Sequence, residues 1–206
     1  MIPADQALAR LREGNRRFVE SLAQQDAVVS RRPTLCDQNP FAIILGCSDA
    51  RVPAELVFDQ GLGDLFVIRV AGNIVAPSQI GSVEFAAERF GVRLVVVLGH
   101  THCGAISATI EQLLKPVENQ SRNLQSIVDR VRPSIEGLLH TELRNDPQAL
   151  ALHGMRANIG VSVSHLRHGS VVLEKLIRED GLRIVGAEYS VQTGAVTFLD
   201  GAHASG

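Results

Sequence analysis

Two short segments concentrate the chemistry of this sequence. Phe41-Ala-Ile-Ile-Leu-Gly46 is an apolar run, and the residues after it, Cys47-Ser-Asp-Ala-Arg51, carry a thiol, a hydroxyl, a carboxylate and a guanidinium. Leu94-Val-Val-Val-Leu-Gly99 repeats the apolar run and leads into His100-Thr-His-Cys103. Thiolate and imidazole together select zinc over hard cations. His-x-x-Cys sets two such ligands one turn apart, so both can face one ion. If the two runs lie together as strands, Cys47 joins His100 and Cys103 at one point. Three protein ligands rather than four is the pattern of a catalytic zinc with an open position. The competing reading is a buried cysteine at each strand end and a surface histidine. Asp49 and Arg51 weigh against it. A carboxylate and guanidinium two residues apart can form a bidentate pair that fixes the carboxylate beside a metal. A solvated loop ion pair, by contrast, is worth little. Cys36 as a fourth ligand would close the site into a structural zinc; otherwise it is a small hydrophobe in a loop.

These groups need elements to position them. Short apolar runs ending in Gly have the length of strands buried on both faces. Reactive groups just past the carboxyl ends of such strands are where open parallel sheets place their sites. Further strands are expected at Leu65–Ala71, Arg183–Tyr189 and Ala195–Leu199, the last two with hairpin-like spacing around Thr193-Gly194. Residues 4–23 read as an amphipathic helix with Leu8, Leu11, Phe18 and Leu22 on one face and Arg10, Arg16, Arg17 and Glu20 on the other. Placed ahead of the first strand, it is an arm that packs either on a partner subunit or on its own domain. Pro53–Asp59 forms a short helix. Ser78 is placed to cap a helix running to Phe90 and stopped by Gly91. Another helix begins near Gly104, and the stripe over 121–142 is interrupted by Pro133, which kinks or divides it. Asp146-Pro147 starts a helix to about Arg167, and Ser170–Asp180 is a shorter one stopped by Gly181. The expected architecture is α/β, with a mostly parallel central sheet of four strands, room for an antiparallel edge strand, and flanking helices. A single domain is expected over 1–206, with 1–35 as the helical arm.

Composition narrows the function. A 45% hydrophobic and 20% charged content argues against disorder. The formal net charge of −2 gives no electrostatic reason to expect nucleic acid or anionic membrane as a partner. Gly61-Leu-Gly63 precedes a strand and lacks the third glycine of a dinucleotide fingerprint, so it reads as a turn. Three cysteines without a disulfide-framework spacing suggest reduced thiols and a cytoplasmic location. The first residues show no secretory pattern, and no apolar stretch approaches the ~18 residues of a membrane span.

Cys47-Ser-Asp49-Ala-Arg51-Val-Pro followed by Gly99-His100-Thr-His-Cys103-Gly-Ala resembles the β-class carbonic anhydrases, whose pattern is Cys-x-Asp-x-Arg and then His-x-x-Cys. The likeness extends through Asp64–Asn73, Gly14-Asn-Arg-Arg-Phe18 and the closing strands, covering essentially the whole chain. It implies zinc-dependent, reversible hydration of carbon dioxide to bicarbonate and a proton. One zinc per chain would be bound by Cys47, His100 and Cys103. Asp49 would orient the attacking oxygen or take the fourth zinc position itself, and Arg51 would hold Asp49 off the metal. Gln38 matches a glutamine that orients carbon dioxide, often across a subunit interface; its alternative is a solvated loop amide. Phe66 and Phe85 match apolar walls of that pocket, and could equally be core aromatics. Gly104 matches a glycine whose backbone lines it. A homodimer or homotetramer is implied, with pockets at the dimer interface. Arg69 and Tyr189 match two positions of an inhibitory bicarbonate site, but Ile44 stands where its Trp would be, which favours the plant-like type. Relatives with the same ligands hydrolyse carbonyl sulfide or carbon disulfide, and a non-enzymatic zinc- or bicarbonate-binding protein is a third reading that has no use for Asp49 and Arg51. Two thiolates and a neutral imidazole cancel the charge of zinc. Water there should be less acidified than at a three-histidine site, where its pKa is about 7, so activity should climb above neutral pH.

Overall fold

The computed structural model describes residues 2–24, 38–116 and 121–199. Cys36 and the side chain of Leu22 lie outside the described residues. Five strands form one sheet in the order β2-β1-β3-β4-β5. They are β1 (Ala42–Gly46), β2 (Leu65–Arg69), β3 (Leu94–His100), β4 (Arg183–Tyr189) and β5 (Val196–Phe198). The first four run parallel, and β5 closes the edge antiparallel to β4. Every residue of β1 and β3 is buried, as expected of parallel strands covered on both faces. Alternate residues point to opposite faces. Ile43, Leu45, Val95 and Val97 enter one core, and Ile44, Val96 and Leu98 enter the other.

Helices α1 (Ala4–Gln24) and α2 (Ala54–Val57) cover the second face. Helices α3 (Pro77–Arg89), α4 (Gly104–Leu114), α5 (Arg122–Ile135), α6 (Pro147–His168) and α7 (Val171–Glu179) cover the first. The chain therefore leaves β1 on one side to form β2, and returns on the other side to form β3. Ligand sites in open α/β sheets lie at the carboxyl ends of strands where the order reverses in this way.

The arm packs on its own sheet. Ala7, Leu8 and Leu11 of α1 are buried in the same core as Phe58, Leu94 and Val96. Asn15 locks the contact: its Nδ2 donates to the carbonyls of Val57 and Gly194, both at 2.9 Å, and its Oδ1 accepts from Val196 N at 2.8 Å. Helix α3 starts one residue before the expected cap, with Pro77 in its first turn and Ala76 at the N-cap. Proline's fixed φ suits that position, and the Ser78 hydroxyl bonds Gln79 instead. Helix α5 runs through Pro133 and ends at Ile135, and two 3-10 turns, Leu138–His140 and Glu142–Asn145, lead into α6. Asp146 caps α6 by accepting from Gln148 N and Ala149 N, each at 3.0 Å. Ser170 caps α7 through Leu173 N, and Gly91 and Gly181 follow α3 and α7 with φ of 64° and 70°.

Two helical glycines should respond with opposite signs. A Cβ on Gly14 would sit 1.8 Å from the main-chain oxygen of Phe58, so alanine there must lift α1 off α2. A Cβ on Gly160 meets nothing within 4 Å. Gly160→Ala should raise stability by about 0.5–1 kcal/mol through backbone entropy. Gly14→Ala should lower it by about 1–3 kcal/mol, since the clash outweighs the same gain. Urea unfolding midpoints of both variants check the pair.

Candidate metal centre

Gly46, the last residue of β1, pairs with Leu98 of β3. Cys47 thus leaves its strand level with the end of the next, where His100 closes β3 and Cys103 precedes α4. One donor atom from each of Cys47, His100 and Cys103 lies within 4.8 Å of the others. All three side chains are buried. His100 Nδ1 lies 2.9 Å from the Thr101 carbonyl, which can only accept, so Nδ1 carries the proton. Nε2 is left with a bare lone pair and no hydrogen-bond partner. A carbonyl that fixes the tautomer of a ligating histidine is a common support of metal sites. The Cys47 sulfur accepts from Gly72 N at 3.3 Å. Cys103 stands at the N-cap of α4, where the helix dipole favours a thiolate.

Charge shows what the cluster lacks. Hydrogen bonding from Cys103 brings the Cys47 thiol down to about 4, while the bond to Cys47 and burial hold Cys103 well above the ordinary thiol range. Two bare thiolates this close would repel, which favours a proton between the sulfurs. A soft divalent cation would displace that proton and satisfy the unpartnered imidazole nitrogen as well. The donor set fits zinc.

Asp49 borders the cluster, with Oδ2 3.8 Å from His100 Nε2. Arg51 grips it from outside: Nε donates to Oδ1 at 2.9 Å, Nη2 to Oδ2 at 2.8 Å, and the Arg51 main-chain N to Oδ1 at 3.0 Å. That guanidinium holds the Asp49 carboxyl well below the usual carboxylate range. Arg51 Nη2 also donates to the carbonyl of His102 at 3.2 Å. His102 has φ of 57°, in the left-handed region, and the carbonyl facing Arg51 belongs to this constrained residue. Gly104 opens α4 beside Cys103, and a Cβ there would meet nothing within 4 Å, so the space next to the cluster is open.

Arg69 is a supporting residue that sequence reasoning placed differently. Its Nε donates to the Cys47 carbonyl at 3.0 Å and its Nη2 to the Asp49 carbonyl, so it braces the ligand loop through main chain. A lone arginine in the apolar run Leu65–Ala71 was the available signal. Gly72 left none.

Gln38, Phe66 and Phe85 are not brought to this cluster within one chain. Gln38 is exposed ahead of β1. Phe66 pairs with Ile43, four residues before Cys47 in sequence and so about 13 Å back along the strand. Its ring packs on Phe85 and Phe90 at centroid distances of 6.2 and 6.1 Å. Phe85 is 52% exposed, unlike a core aromatic.

The family model for carbonic anhydrase matches residues 42–196. Carbonic anhydrase 2 of Mycobacterium tuberculosis is 35% identical, over 92% of this chain and 90% of its own length. The carbonic anhydrase of Mycolicibacterium smegmatis is 36% identical, over 90% and 88%. Among solved structures, the β-carbonic anhydrase CafA of Aspergillus fumigatus superposes with a TM-score of 0.73 at 25% identity, over 97% of this chain and 91% of that one. The tetrameric β-carbonic anhydrases of Sordaria macrospora share the fold, with a TM-score of 0.74 at 21% identity, over 93% of this chain and 96% of that one. With the family model matching residues 42–196, relatives about 35% identical along nearly the full chain and a fold shared with solved β-carbonic anhydrases, this protein belongs to the β class of the carbonic anhydrase family.

Proposed function

We propose that the chain catalyses the zinc-dependent, reversible hydration of carbon dioxide, with one zinc per chain held by Cys47, His100 and Cys103. The observation that carries this reading is Asp49, a carboxylate clamped by Arg51 at the rim of a buried donor cluster. A purely structural zinc has no use for it. Zinc bound there supplies a Lewis acid that makes a water molecule nucleophilic towards carbon dioxide.

The chain's own groups do the rest. Asp49 Oδ2, the oxygen nearer His100, accepts a hydrogen bond from the remaining O–H of the attacking oxygen and so sets the direction of its lone pair. Arg51 keeps that carboxylate ionised and engaged, which restrains it from becoming a fourth ligand. Gly104 leaves the approach clear. Carbon dioxide is apolar, and its walls come from a second copy of the chain: in a homodimer or homotetramer, Phe66 and Phe85 of one subunit face the cluster of the other, and Gln38 offers an amide donor to a substrate oxygen. Ligand thiolates favour a reducing compartment, which supports a cytoplasmic location.

The sign of the pH dependence follows from Asp49. Its folded pKa is depressed, so the pair with Arg51 is intact above the ordinary carboxylate range and is lost only as pH falls through the lower folded value. From about pH 6.5 to about 9 the acceptor stays charged, and the rate should climb with pH as the attacking water loses its proton. Stopped-flow hydration on protein of known zinc content reads this directly. Asp49→Asn should lower kcat about a hundredfold at unchanged zinc content. Turnover of carbonyl sulfide without carbon dioxide hydration would replace the proposal with the sulfur-hydrolase reading.

The shared pocket has its own test. Asp49→Asn and Gln38→Ala chains, each impaired alone, should complement when coexpressed. A mixed dimer rebuilds one complete site from two defective chains, and random pairing should restore roughly a quarter of wild-type activity. Activity no greater than the sum of the parents would place Gln38 in its own chain's site or in none.

A further inference from the structure

We propose that Asn158, on α6, is a positioning residue for the metal centre, acting on Cys47 through the left-handed turn at Gly72 and Asn73. This rests on the reading of Cys47, His100 and Cys103 as a metal site. After β2 the chain makes a single 3-10 turn, Ala71–Asn73, in which Gly72 has φ of 71° and Asn73 has φ of 42°. Consecutive left-handed residues are an unfavourable backbone choice, tolerated by Gly and, less readily, by Asn. Here the turn points the Gly72 N–H at the Cys47 sulfur, 3.3 Å away.

Helix α6 holds that turn from the far side. Asn158 Nδ2 donates to the Gly72 carbonyl at 2.7 Å, and Ser162 Oγ donates to the Asn73 carbonyl at 2.9 Å. The two side chains are one helical turn apart on the same face and are 1% and 2% exposed. Around them the buried face of α6 is apolar, with Met155, Ile159, Val163 and Leu166. Polar groups buried there are costly unless paired, and both use their donors on consecutive carbonyls of the turn. Fixing those carbonyls fixes the dihedral angles that aim the Gly72 N–H. An N–H donated to a sulfur withdraws charge from it and fixes where it sits, so losing the bond leaves the sulfur richer in charge but no longer held in place for a cation.

The same helix also touches the other ligand segment. Ile159 and Met155 are packed so close to Gly99, next to His100, that a Cβ there would lie 2.6 Å from Ile159 and 3.2 Å from the Met155 sulfur. Helix α6 therefore sets the β3 strand end by packing and the Cys47 sulfur by hydrogen bonds. The absorption of the cobalt-substituted protein can separate the two effects, because the energy of the thiolate-to-cobalt band follows the charge on sulfur.

The experiment compares three full-length variants with wild type. Asn158→Leu keeps size and branching but has no donor. Ser162→Ala removes one hydroxyl from the same face. Ile159→Val loosens the packing on Gly99 without touching the turn. Zinc affinity is measured by chelator competition, and the cobalt band is recorded alongside thermal unfolding. Asn158→Leu should weaken zinc binding about tenfold and move the band to lower energy, and Ser162→Ala should do the same to a smaller degree. Ile159→Val should leave the band in place even where it lowers the melting temperature. An unmoved band and unchanged zinc affinity in Asn158→Leu would overturn the proposal; should that variant not fold, the same result in Ser162→Ala would overturn it. A wild-type chain with no thiolate-to-cobalt band would remove the metal reading itself, and this proposal with it.

Discussion

The convergence of three buried donor groups on one point governs this structure. Cys47 and Cys103 are held, with His100, so that their donor atoms lie within 4.8 Å of one another, away from bulk water. Two bare thiolates at that range would repel without a proton or a cation between them, and the hydrogen bond between the sulfurs lowers the Cys47 thiol and raises the Cys103 thiol. The fold has to hold this geometry. It does so with the parallel register of β1 on β3, in which Gly46 meets Leu98, and with α6 packed against Gly99. Binding energy from a metal at such a site is also folding energy, since the unfolded chain presents no such cluster.

The second constraint is a competition. A carboxylate is itself a good zinc ligand, and Asp49 stands 3.8 Å from His100 Nε2. Three N–H donors of Arg51 hold it, and the guanidinium is in turn tied to the His102 carbonyl. Arg69 braces the carbonyls of Cys47 and Asp49 from the neighbouring strand. The loop that carries the nearest carboxylate to the cluster is thus held through both its side chain and its main chain. The cost of losing Arg51 is therefore not the small value of an exposed ion pair, although its side chain is 53% exposed. What it would release is a carboxylate free to close the open position.

Strand ends and ligand types were legible in the sequence because apolar runs, glycine stops and His-x-x-Cys spacing each have a physical signature. The helix start at Asp146-Pro147 was legible for the same reason. Ser78 misled because Pro77 offered a better first turn. The arm was ambiguous, since an amphipathic stripe records that a face is buried but not against what; the Asn15 bonds to α2 and β5 decide it. Gly72 and Asn158 acted unseen, and Arg69 was visible but in another role. Each works through main-chain carbonyls or N–H groups, and a hydrogen bond to backbone leaves no mark on the residue type of its partner. Tertiary supports of this kind become visible only when helix and turn are in place.

The aromatic residues raise a different point about completeness. Phe66 lies on β2, the edge strand of the sheet, and packs with Phe85 and Phe90 on α3. Phe85, at 52% exposure, leaves much of its ring to solvent on the isolated chain. An edge strand and an exposed ring side by side are the features through which chains associate. At the switch point, meanwhile, β1 and β3 are buried along their whole length, and the cavity of about 460 Å³ beside Cys103 counts His102, Gln148 and Gln192 among its lining. Both facts are met if the donor cluster supplies the chemistry and a neighbouring subunit supplies the walls. Under that arrangement the register of β1 on β3 can be optimised for the metal alone, and substrate fit is set separately by how two copies meet.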